Sequence, residues 1–314
     1  MARRRNRGRS INGIFLLDKP QGLTSNQALQ RVKNLFDANK AGHTGALDPL
    51  ATGVLPICLG EATKFSQFLL DSDKHYLSTF TLGVTTETGD SEGEVVVEHD
   101  AGAVTLAQIE AALEGFRGEI QQVPSMYSAL KHKGQPLYKL ARQGIEVERE
   151  ARTITVFDFQ ILGFRPGEQA YLDVQVHVSK GTYVRSLAED LGRVLGCGGH
   201  VSALRRNIAG PFAESETMTL QDLQTLAEAS EPADLDYLLK PMDVSVADRM
   251  AVELTATVAA YFQLGQPVMS TQAFRNGQEG DIVRVFREGG AFLGVATVTE
   301  DGRIAPKRLV VEAD

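Results

Sequence analysis

A glycine-rich segment in the first sixth of the chain constrains this protein more than any other stretch. Residues 42–53 are Gly-His-Thr-Gly-Ala-Leu-Asp-Pro-Leu-Ala-Thr-Gly, so three glycines occur within twelve residues. Glycine adopts backbone torsions that other residues avoid, and it lets a large ligand approach the main chain closely. The apolar run Val54–Leu59 follows the segment and predicts a buried element. We therefore expect a long loop that a large ligand contacts.

Asp48 is the residue of this loop that most favours a chemical role. It precedes Pro49, which biases it towards an extended conformation with its carboxylate directed out of the loop. A single carboxylate without His or Cys at metal-binding spacing suits a nucleophile or general base better than a metal ligand. An Asp-Pro turn that caps the next helix explains the same residues. The spacing alone leaves both interpretations open.

Hydrophobic periodicity predicts an alternation of helices and strands along the chain. Helices are expected after the N-cap Thr24-Ser25-Asn26, over Glu61–Leu70, Thr105–Phe116 and Arg185–Leu195, and as two short acidic helices within Asp222–Leu239. Strands are expected over Ile11–Leu17, Val54–Leu59, Tyr76–Leu82, Glu94–Glu98, Thr153–Phe157, Tyr171–Val178 and Thr182–Val184. Beyond a domain boundary near residue 248, short β-like stretches are expected at Ile282–Phe286, Ala291–Val295 and Leu309–Val311.

Length and composition exclude several classes of protein. The 314 residues suffice for two domains, and no apolar run approaches the roughly 18 residues of a membrane helix. The basic N-terminus is not followed by the apolar region of a secretory signal. The two cysteines, Cys58 and Cys197, cannot form a disulfide scaffold, and they suit a reducing cytosol. We expect a cytoplasmic protein without a structural zinc site.

Charge is unevenly distributed along the chain, whose formal net charge is −8. Residues 1–64 carry ten Lys or Arg and four acids, a net +6, whereas residues 213–253 carry ten acids and two bases, a net −8. The local field decides where a polyanion binds, so a basic N-terminal region is compatible with RNA or DNA. Residues 1–10 form a basic tail that equally fits a solvated, disordered segment.

A second basic region lies in the middle of the chain. The segment at about 122–151 lacks clear periodicity, and six Lys or Arg fall between Lys131 and Arg152, with Tyr127 and Tyr138 nearby. This composition is typical of a loop that grips RNA, although irregular surface loops often share it.

The loop and five further motifs together resemble the TruB family of tRNA pseudouridine-55 synthases. The loop string continues as Val54-Leu-Pro56, which completes the signature of that family. Further matches occur in family order: Leu16-Leu-Asp-Lys-Pro-Gln-Gly22-Leu-Thr-Ser25, Lys74-His-Tyr76, Pro124-Ser-Met-Tyr-Ser-Ala-Leu-Lys131, Ser179-Lys-Gly-Thr-Tyr-Val-Arg-Ser186 and Leu204-Arg-Arg206. The resemblance covers roughly residues 11–210.

The resemblance implies an α+β fold in two domains. Residues 11–248 are expected to form the pseudouridine synthase catalytic domain, with a mixed, mostly antiparallel central sheet. The insertion at about 122–151 would fold over the RNA and be mobile without it. Residues 249–314 lie where bacterial relatives carry a small PUA-like β domain, although no sharp motif in this chain marks one.

The same resemblance implies an isomerase that converts uridine-55 in the T-loop of tRNA to pseudouridine without a cofactor or a metal. It leaves open that the protein also assists tRNA folding. The expected partner is the tRNA T-stem-loop, with no membrane, no obligatory protein partner and a monomeric enzyme. A glycosidic bond inside a stacked loop cannot be reached in place, so the uridine must be flipped into a pocket.

Asp48 matches the catalytic aspartate of the family, and Arg185 matches the arginine that pairs with it. An opposite charge nearby favours the ionised carboxylate, and the planar guanidinium fork aims it in a way that lysine cannot. Asp48 could attack C6 of the uracil or C1′ of the ribose, or assist elimination to a glycal. The sequence does not choose among these routes.

Four more residues match substrate-binding positions of the family. Tyr76 matches the tyrosine that stacks on the target base, and Tyr183 matches a second pocket tyrosine on the same face as Arg185 if that segment is extended. His43 matches a histidine near the flipped nucleotide, and Leu204 a position whose backbone contacts the uracil edge. Taken singly, these residues also fit a core tyrosine, a loop histidine and a core leucine. Lys19-Pro20 is expected to support the Asp48 loop.

Two other functions compete with the synthase. An RNA-binding module that holds the tRNA elbow would use the basic tail, the insertion and the C-terminal domain. It would not need a carboxylate facing a polyanion. A metal-dependent nuclease or phosphoesterase is a weaker alternative, because the acidic residues do not cluster in the sequence as such sites demand.

Overall fold

The structure is a computed structural model and describes residues 8–311. The first ten strands along the chain are β1 Gly13–Lys19, β2 Ala41–His43, β3 Thr52–Leu59, β4 Lys74–Leu82, β5 Val84–Thr86, β6 Val95–Glu98, β7 Gly118–Gln122, β8 Lys131–His132, β9 Gln135–Pro136 and β10 Arg152–Arg165. They are followed by β11 Ala170–Val178, β12 Gly199–Ala209, β13 Phe212–Ala213, β14 Met218–Thr219, β15 Ala251–Leu254, β16 Val268–Met269, β17 Ile282–Arg287, β18 Ala291–Val298 and β19 Arg303–Leu309.

The α-helices are short and connect these strands. They are α1 Ser25–Leu35, α2 Ser66–Leu70, α3 Leu106–Leu113, α4 Leu137–Ala141, α5 Val184–Val194, α6 Leu220–Glu228, α7 Ala256–Gln263 and α8 Thr271–Asn276. Single 3-10 turns or short 3-10 helices cover Gly60–Lys64, Glu114–Phe116, Glu214–Glu216, Pro232–Leu238 and Met242–Val246. Each helix within residues 8–311 is too short or too polar to cross a membrane.

A ten-stranded sheet dominates the first 220 residues. Its main path runs β14-β1-β3-β12-β4-β11-β10-β7, while β2 pairs with β3 and β13 with β12. Neighbouring strands are antiparallel except for β1 with β14 and β3 with β12. The expected α+β fold with a mixed, mostly antiparallel sheet is therefore confirmed. Strand β12, late in the chain, lies between β3 and β4 in the centre.

The two faces of this sheet are covered differently. On one face, helices α1, α3, α5 and α6 bury their apolar sides against strands β3, β4, β10 and β11 to form the main core. On the other face, a smaller cluster joins β1, β3 and β12 to helix α2 and the 3-10 segment before it. The main core fixes α1 and α5 against the sheet, and both helices contribute residues to the candidate site.

A second, five-stranded sheet follows in the order β15-β17-β18-β19-β16. It has its own apolar core. It contacts the segment after β3, where the ring centroids of Phe65 and Phe292 lie 5.2 Å apart and Lys64 Nζ donates to the Leu309 carbonyl at 3.0 Å. The C-terminal β region therefore packs directly on the segment that follows β3.

Most of the expected elements are present, with three differences. The single helix predicted over residues 61–70 is a 3-10 segment followed by α2. The strand predicted at Thr182–Val184 is wrong, since Tyr183 is the N-cap of α5. The strand expected at 309–311 ends at Leu309 and begins at Arg303.

The predicted basic tail lies mostly outside the described residues, which begin at Gly8. Arg9 is described, and its guanidinium forms an ion pair with Asp236 at 2.6 Å. Its backbone N–H also donates to the Asp37 carbonyl at 2.5 Å. Residue 9 is thus attached to the turn after α1 and to the 3-10 helix Pro232–Leu238.

Gly53 provides a test of how tightly the sheet is packed at the site. It has φ +100°, and a Cβ placed there would lie 2.2 Å from the Arg206 carbonyl oxygen on β12. We expect Gly53→Ala to lower the free energy of unfolding by about 2–6 kcal/mol, because strained torsion and steric overlap each contribute about 1–3 kcal/mol. Urea denaturation measures the change.

Gly22→Ala is the matched control, because Gly22 also has a positive φ, +83°, but a Cβ added to it would have no neighbour within 4 Å. This variant should show the torsional cost alone. Equal unfolding midpoints for the two variants would contradict the close approach of β3 and β12.

Candidate active site

The Asp48 loop connects β2 to β3 and is anchored on helix α1. Ser25 Oγ donates to the Leu47 carbonyl at 2.9 Å and accepts from the Leu47 N–H at 2.7 Å. Gly22 N–H donates to the Pro49 carbonyl at 2.8 Å. Ser25 lies in the first turn of α1, whose N-cap Thr24 and Gln27 form a capping box. The helix start therefore fixes the residue on each side of Asp48.

Lys19 contributes to this support from strand β1. Its side chain is fully buried, and Nζ donates to the carbonyls of Pro20 and Leu23 at 2.9 and 2.7 Å. Burial lowers the pKa of Lys19 to about 8, although the nearby Asp48 carboxylate opposes this shift. Lys19 thus holds the turn that leads into α1.

Arg185 is the centre of the polar contacts at the site. It lies in the first turn of α5, and its side chain is 5 % exposed. Its Nε lies 3.0 Å from Asp48 Oδ2, and Nη1 lies 3.5 Å from Oδ2 of the buried Asp90. Nη1 also donates to the Thr88 carbonyl at 2.8 Å, and Nη2 donates to the Tyr127 carbonyl at 2.9 Å. One guanidinium therefore joins Asp48 to two other chain segments, residues 88–90 and Tyr127.

Asp48 is recessed in protein yet open to a cavity, and its side chain is 41 % exposed. Loss of surrounding water raises the pKa of Asp48 above its ordinary value, because desolvation disfavours the charged form. Arg185 and Lys19 oppose this increase, and the carboxylate of Asp90 adds to it. Arg185 thus favours the ionised form of Asp48 in a site that otherwise disfavours it.

A cavity of about 370 Å³ opens in front of Asp48. This volume is within the range of small-ligand sites. Among the residues that line it are Asp48, Tyr76, Tyr183, Arg185 and Leu204. The structure thus brings five of the six predicted site residues to one cavity.

His43 is the sixth residue and does not line the cavity. It is the last residue of β2, directly before the loop, and its buried Nδ1 has no hydrogen-bond partner among the described residues. Burial lowers the pKa of His43, and the positive charge of Arg206 adds to the effect. The neutral imidazole is therefore favoured at pH 7.

Tyr76 and Leu204 come from neighbouring strands, β4 and β12. Tyr76 is buried at 9 % exposure and lies directly opposite Arg206 in the strand pairing. Leu204 precedes Arg206 by two residues, so both side chains lie on the same face of the sheet.

Tyr183 reaches the cavity from the N-cap of α5 and not from an extended strand. Its N–H donates to Gln122 Oε1 at 2.8 Å, and Gln122 Nε2 donates to its carbonyl at 3.0 Å. Burial raises the pKa of the Tyr183 phenol. Tyr183 therefore lines the cavity, as expected, but the helix start and the Gln122 side chain place it there.

The central insertion closes one side of the cavity. It contains the β8–β9 hairpin and helix α4, and Ser128, Ala129 and Leu130 line the cavity wall. The Tyr127 hydroxyl donates to the Glu87 carboxylate. Near the C-terminal end of the insertion, Arg149 Nη1 donates to the Pro124 carbonyl at 3.2 Å.

Several polar residues of the site were not identified from the sequence, above all Asp90, Gln122 and Arg206. Each is buried. Asp90 lies in a segment whose function no pattern indicated, and Gln122 lies at the start of the predicted insertion but was given no role. Arg206 ends the Leu204-Arg-Arg206 motif and was also given no role, although a basic residue within a central strand is a signal that could have drawn attention to it.

Three domain models of pseudouridine synthases match successive parts of the chain. The N-terminal domain model of the TruB family pseudouridylate synthases matches residues 33–184. A tRNA pseudouridylate synthase B C-terminal domain model matches residues 185–247, and a pseudouridine synthase II TruB C-terminal model matches residues 251–310.

Curated relatives share more than half of the sequence. A protein of Saccharophagus degradans named tRNA pseudouridine synthase B is 56 % identical over 313 residues, which covers 100 % of both chains. Proteins of the same name from Yersinia pestis and Serratia proteamaculans are 54 % and 53 % identical. The alignments cover 100 % and 99 % of this chain, and 96 % and 99 % of those relatives.

Solved structures show the same fold. A chain of a Cbf5–Nop10–Gar1 complex superposes with a TM-score of 0.69 at 27 % identity, covering 96 % of this chain and 84 % of its own length. A chain of an archaeal box H/ACA sRNP Nop10–Cbf5 complex gives a TM-score of 0.70 at 25 % identity, with 96 % and 87 % covered. From these matches and the site geometry together, we conclude that the chain belongs to the TruB family of pseudouridylate synthases.

Proposed function

We propose that this protein isomerises uridine-55 in the T-loop of tRNA to pseudouridine, with Asp48 as the nucleophile. The observation that carries the proposal is the Asp48–Arg185 ion pair, which lies at a cavity lined by Tyr76, Tyr183 and Leu204. Family membership supports the isomerisation, and the relatives named tRNA pseudouridine synthase B support tRNA as the substrate. A pure RNA-binding module would gain nothing from this ion pair, because a carboxylate repels phosphate.

The reaction requires that the target uracil leave the base stack of the T-loop. The N1–C1′ bond breaks, the uracil turns, and C5 bonds to C1′, so the product is an isomer of the substrate. No atoms or electrons are gained, so the proposed reaction consumes no oxidant, reductant or co-substrate, and we propose it without a cofactor or a metal. Extruding the nucleotide costs a few kcal/mol, which contacts inside the pocket and to the phosphates outside offset.

Each predicted site residue has a place in this proposal. Asp48 attacks C6 or C1′, or assists elimination to a glycal, and Arg185 aims its carboxylate. Tyr76 stacks on the flipped uracil, Tyr183 closes the opposite wall, and the Leu204 backbone bonds the base edge. The family resemblance implies these roles, and the cavity that the five residues share supports them.

His43 acts beside the cavity, where its neutral ring stacks on or bonds to the flipped nucleotide. The lowered pKa of His43 supports the neutral form.

The proposed assembly is one chain and one tRNA in the cytoplasm. We propose a monomer that needs no obligatory protein partner. The proposed division of the chain into a tail of residues 1–10, a catalytic domain of residues 11–248 and a PUA-like domain of residues 249–314 follows the separate apolar cores.

Asp48→Asn tests the nucleophile. The amide keeps the size of the side chain but lacks nucleophilic charge, so we expect conversion to fall by at least about a thousandfold while tRNA binding stays within about threefold. Mass mapping of pseudouridine in treated tRNA measures conversion, and filter binding measures affinity.

Glu110→Gln is the control for Asp48→Asn, because Glu110 is exposed on α3 and also loses one negative charge. It should retain wild-type turnover. Normal pseudouridine formation by Asp48→Asn would show that Asp48 is not the nucleophile.

The pH dependence of kcat/KM tests the Asp48–Arg185 pair. The raised pKa of Asp48 means that its carboxylate protonates above the ordinary aspartate value of about 3.9, so activity should fall at a higher pH than that as the solution is acidified. Because Arg185 lowers the pKa of Asp48, Arg185→Gln should move the acid limb to still higher pH.

Arg193→Gln is the matched control for Arg185→Gln. Arg193 lies on the same helix with a 74 % exposed side chain, and its loss should leave the acid limb in place. If the acid limb of kcat/KM in Arg185→Gln stays at the wild-type pH, Arg185 does not lower the pKa of Asp48.

The insertion at about 122–151 is proposed to fold over the RNA and to be mobile without it. Hydrogen exchange followed by mass spectrometry should show slower exchange in this segment when a T-stem-loop RNA is added. Strand β19, in the C-terminal sheet, is the internal reference and should exchange equally in both states. Unchanged exchange across the insertion would contradict this role.

A further inference from the structure

Arg206 is a buried cation of the site that the reaction as proposed so far does not use. It lies on β12, opposite Tyr76 on β4 and Gly53 on β3, and it is 1 % exposed. Its Nε donates to the Val54 carbonyl at 2.8 Å, and Nη2 donates to the Gly45 carbonyl at 3.2 Å. These bonds place the guanidinium beneath the Asp48 loop.

The charge of Arg206 has no carboxylate partner within residues 8–311 at the 4.0 Å limit for an ion pair. The adjacent Arg205 provides a contrast, since it points to the other face and pairs with Asp18 at 3.0 Å and Glu214 at 2.8 Å. A buried charge is costly unless it is paired or fully hydrogen-bonded. Two carbonyls satisfy only part of the five-donor guanidinium of Arg206.

Three of the five N–H groups of Arg206 have no hydrogen-bond partner among the described residues. Nη1 has no hydrogen-bond partner in the described part of the chain, and a Cβ on Gly45 would lie 3.4 Å from it. Gly45, Tyr76 and Arg206 all line the same cavity. Arg206, with its unpaired Nη1, therefore lines the same cavity as Tyr76, where the proposed function places the uracil.

We propose that Arg206 contacts the substrate, with Nη1 donating a hydrogen bond to a carbonyl oxygen of the flipped uracil. This inference rests on the proposed function. The base is the part of an everted nucleotide that goes deepest into a pocket, whereas its phosphates stay at the rim. Arg206 lines the cavity and is 1 % exposed as a residue, so its position suits a contact with the base and not with a phosphate.

The contact would contribute to catalysis as well as to binding. When the N1–C1′ bond breaks heterolytically, its electron pair passes to the uracil and spreads over N1, O2 and O4. A fixed cationic donor on one of these oxygens binds that state more tightly than neutral uracil. Arg206 transfers no proton, and the electron pair is used again when C5 bonds to C1′, with a proton lost from C5 and one gained at N1.

Sulfur substitution in the RNA tests the contact atom by atom. T-stem-loop RNAs carry uridine, 2-thiouridine or 4-thiouridine at the target position, because sulfur accepts hydrogen bonds poorly. Wild-type kcat should fall about tenfold or more for one of the two thio-substituted RNAs. If wild-type enzyme converts all three RNAs at equal rates, the contact does not exist, whatever the variants do.

Variants of Arg206 complete a double-mutant cycle whose other change is the sulfur substitution in the RNA. Arg206→Gln should lower kcat for the uridine RNA by about tenfold to a hundredfold. The sulfur effect, which is the ratio of kcat for the uridine RNA to kcat for the affected thio-substituted RNA, should largely disappear in this variant. Arg206→Lys keeps the charge and serves if Arg206→Gln does not fold. Its sulfur effect should be smaller than that of wild type. Multiplicative losses, in which each variant keeps the full sulfur effect, would show that Arg206 only positions the loop.

Arg205→Gln is the matched control, since it removes the neighbouring guanidinium from the other face of β12. It should keep the wild-type response to sulfur. Failure of wild-type enzyme to form pseudouridine from the unmodified RNA would instead refute the proposed function, so the two failures are distinguishable.

Discussion

The interaction on which the site depends is the buried guanidinium of Arg185. It lies between Asp48 and Asp90 and also donates to the carbonyls of Thr88 and Tyr127. A buried charge is tolerated only where its partners are close and well oriented, so these four groups and the start of α5 are fixed together. The position of Asp48 at the cavity is a result of this arrangement.

The central position of β12 is the second constraint. Because β12 lies between β3 and β4, a late segment of the chain is placed between the Asp48 loop and Tyr76. The close parallel approach of β12 to β3 is possible because position 53 is glycine. Leu204 and Arg206 reach the cavity for this reason, although about 150 residues separate them from the loop.

The sequence predicted much of this arrangement where its signals were local. The N-cap at Thr24, the apolar runs of β1 and β3 and the alternation in β4 depend on neighbouring residues, and the structure confirms them. The motif resemblance identified six site residues, of which His43 alone does not line the cavity.

Other features depend on distant contacts and could not be predicted. Strand β12 contains charged residues and two irregularities in its pairing with β4, which hide its alternation. The β-rich residues Thr182–Val184 suggested a strand, but bonds from Gln122 and the packing of α5 fix a helix start there. The partnership of Asp90 with Arg185 likewise has no local signal.

The bond between Arg185 and the Tyr127 carbonyl has a consequence for how substrate reaches the pocket. Any movement that lifts the insertion away from the cavity breaks this bond and leaves one donor of the guanidinium free, while its hold on Asp48 is retained. The insertion is therefore better hydrogen-bonded when it lies against the cavity than when it is lifted away. The side chain that orients the Asp48 carboxylate thus favours the position of the insertion against the cavity.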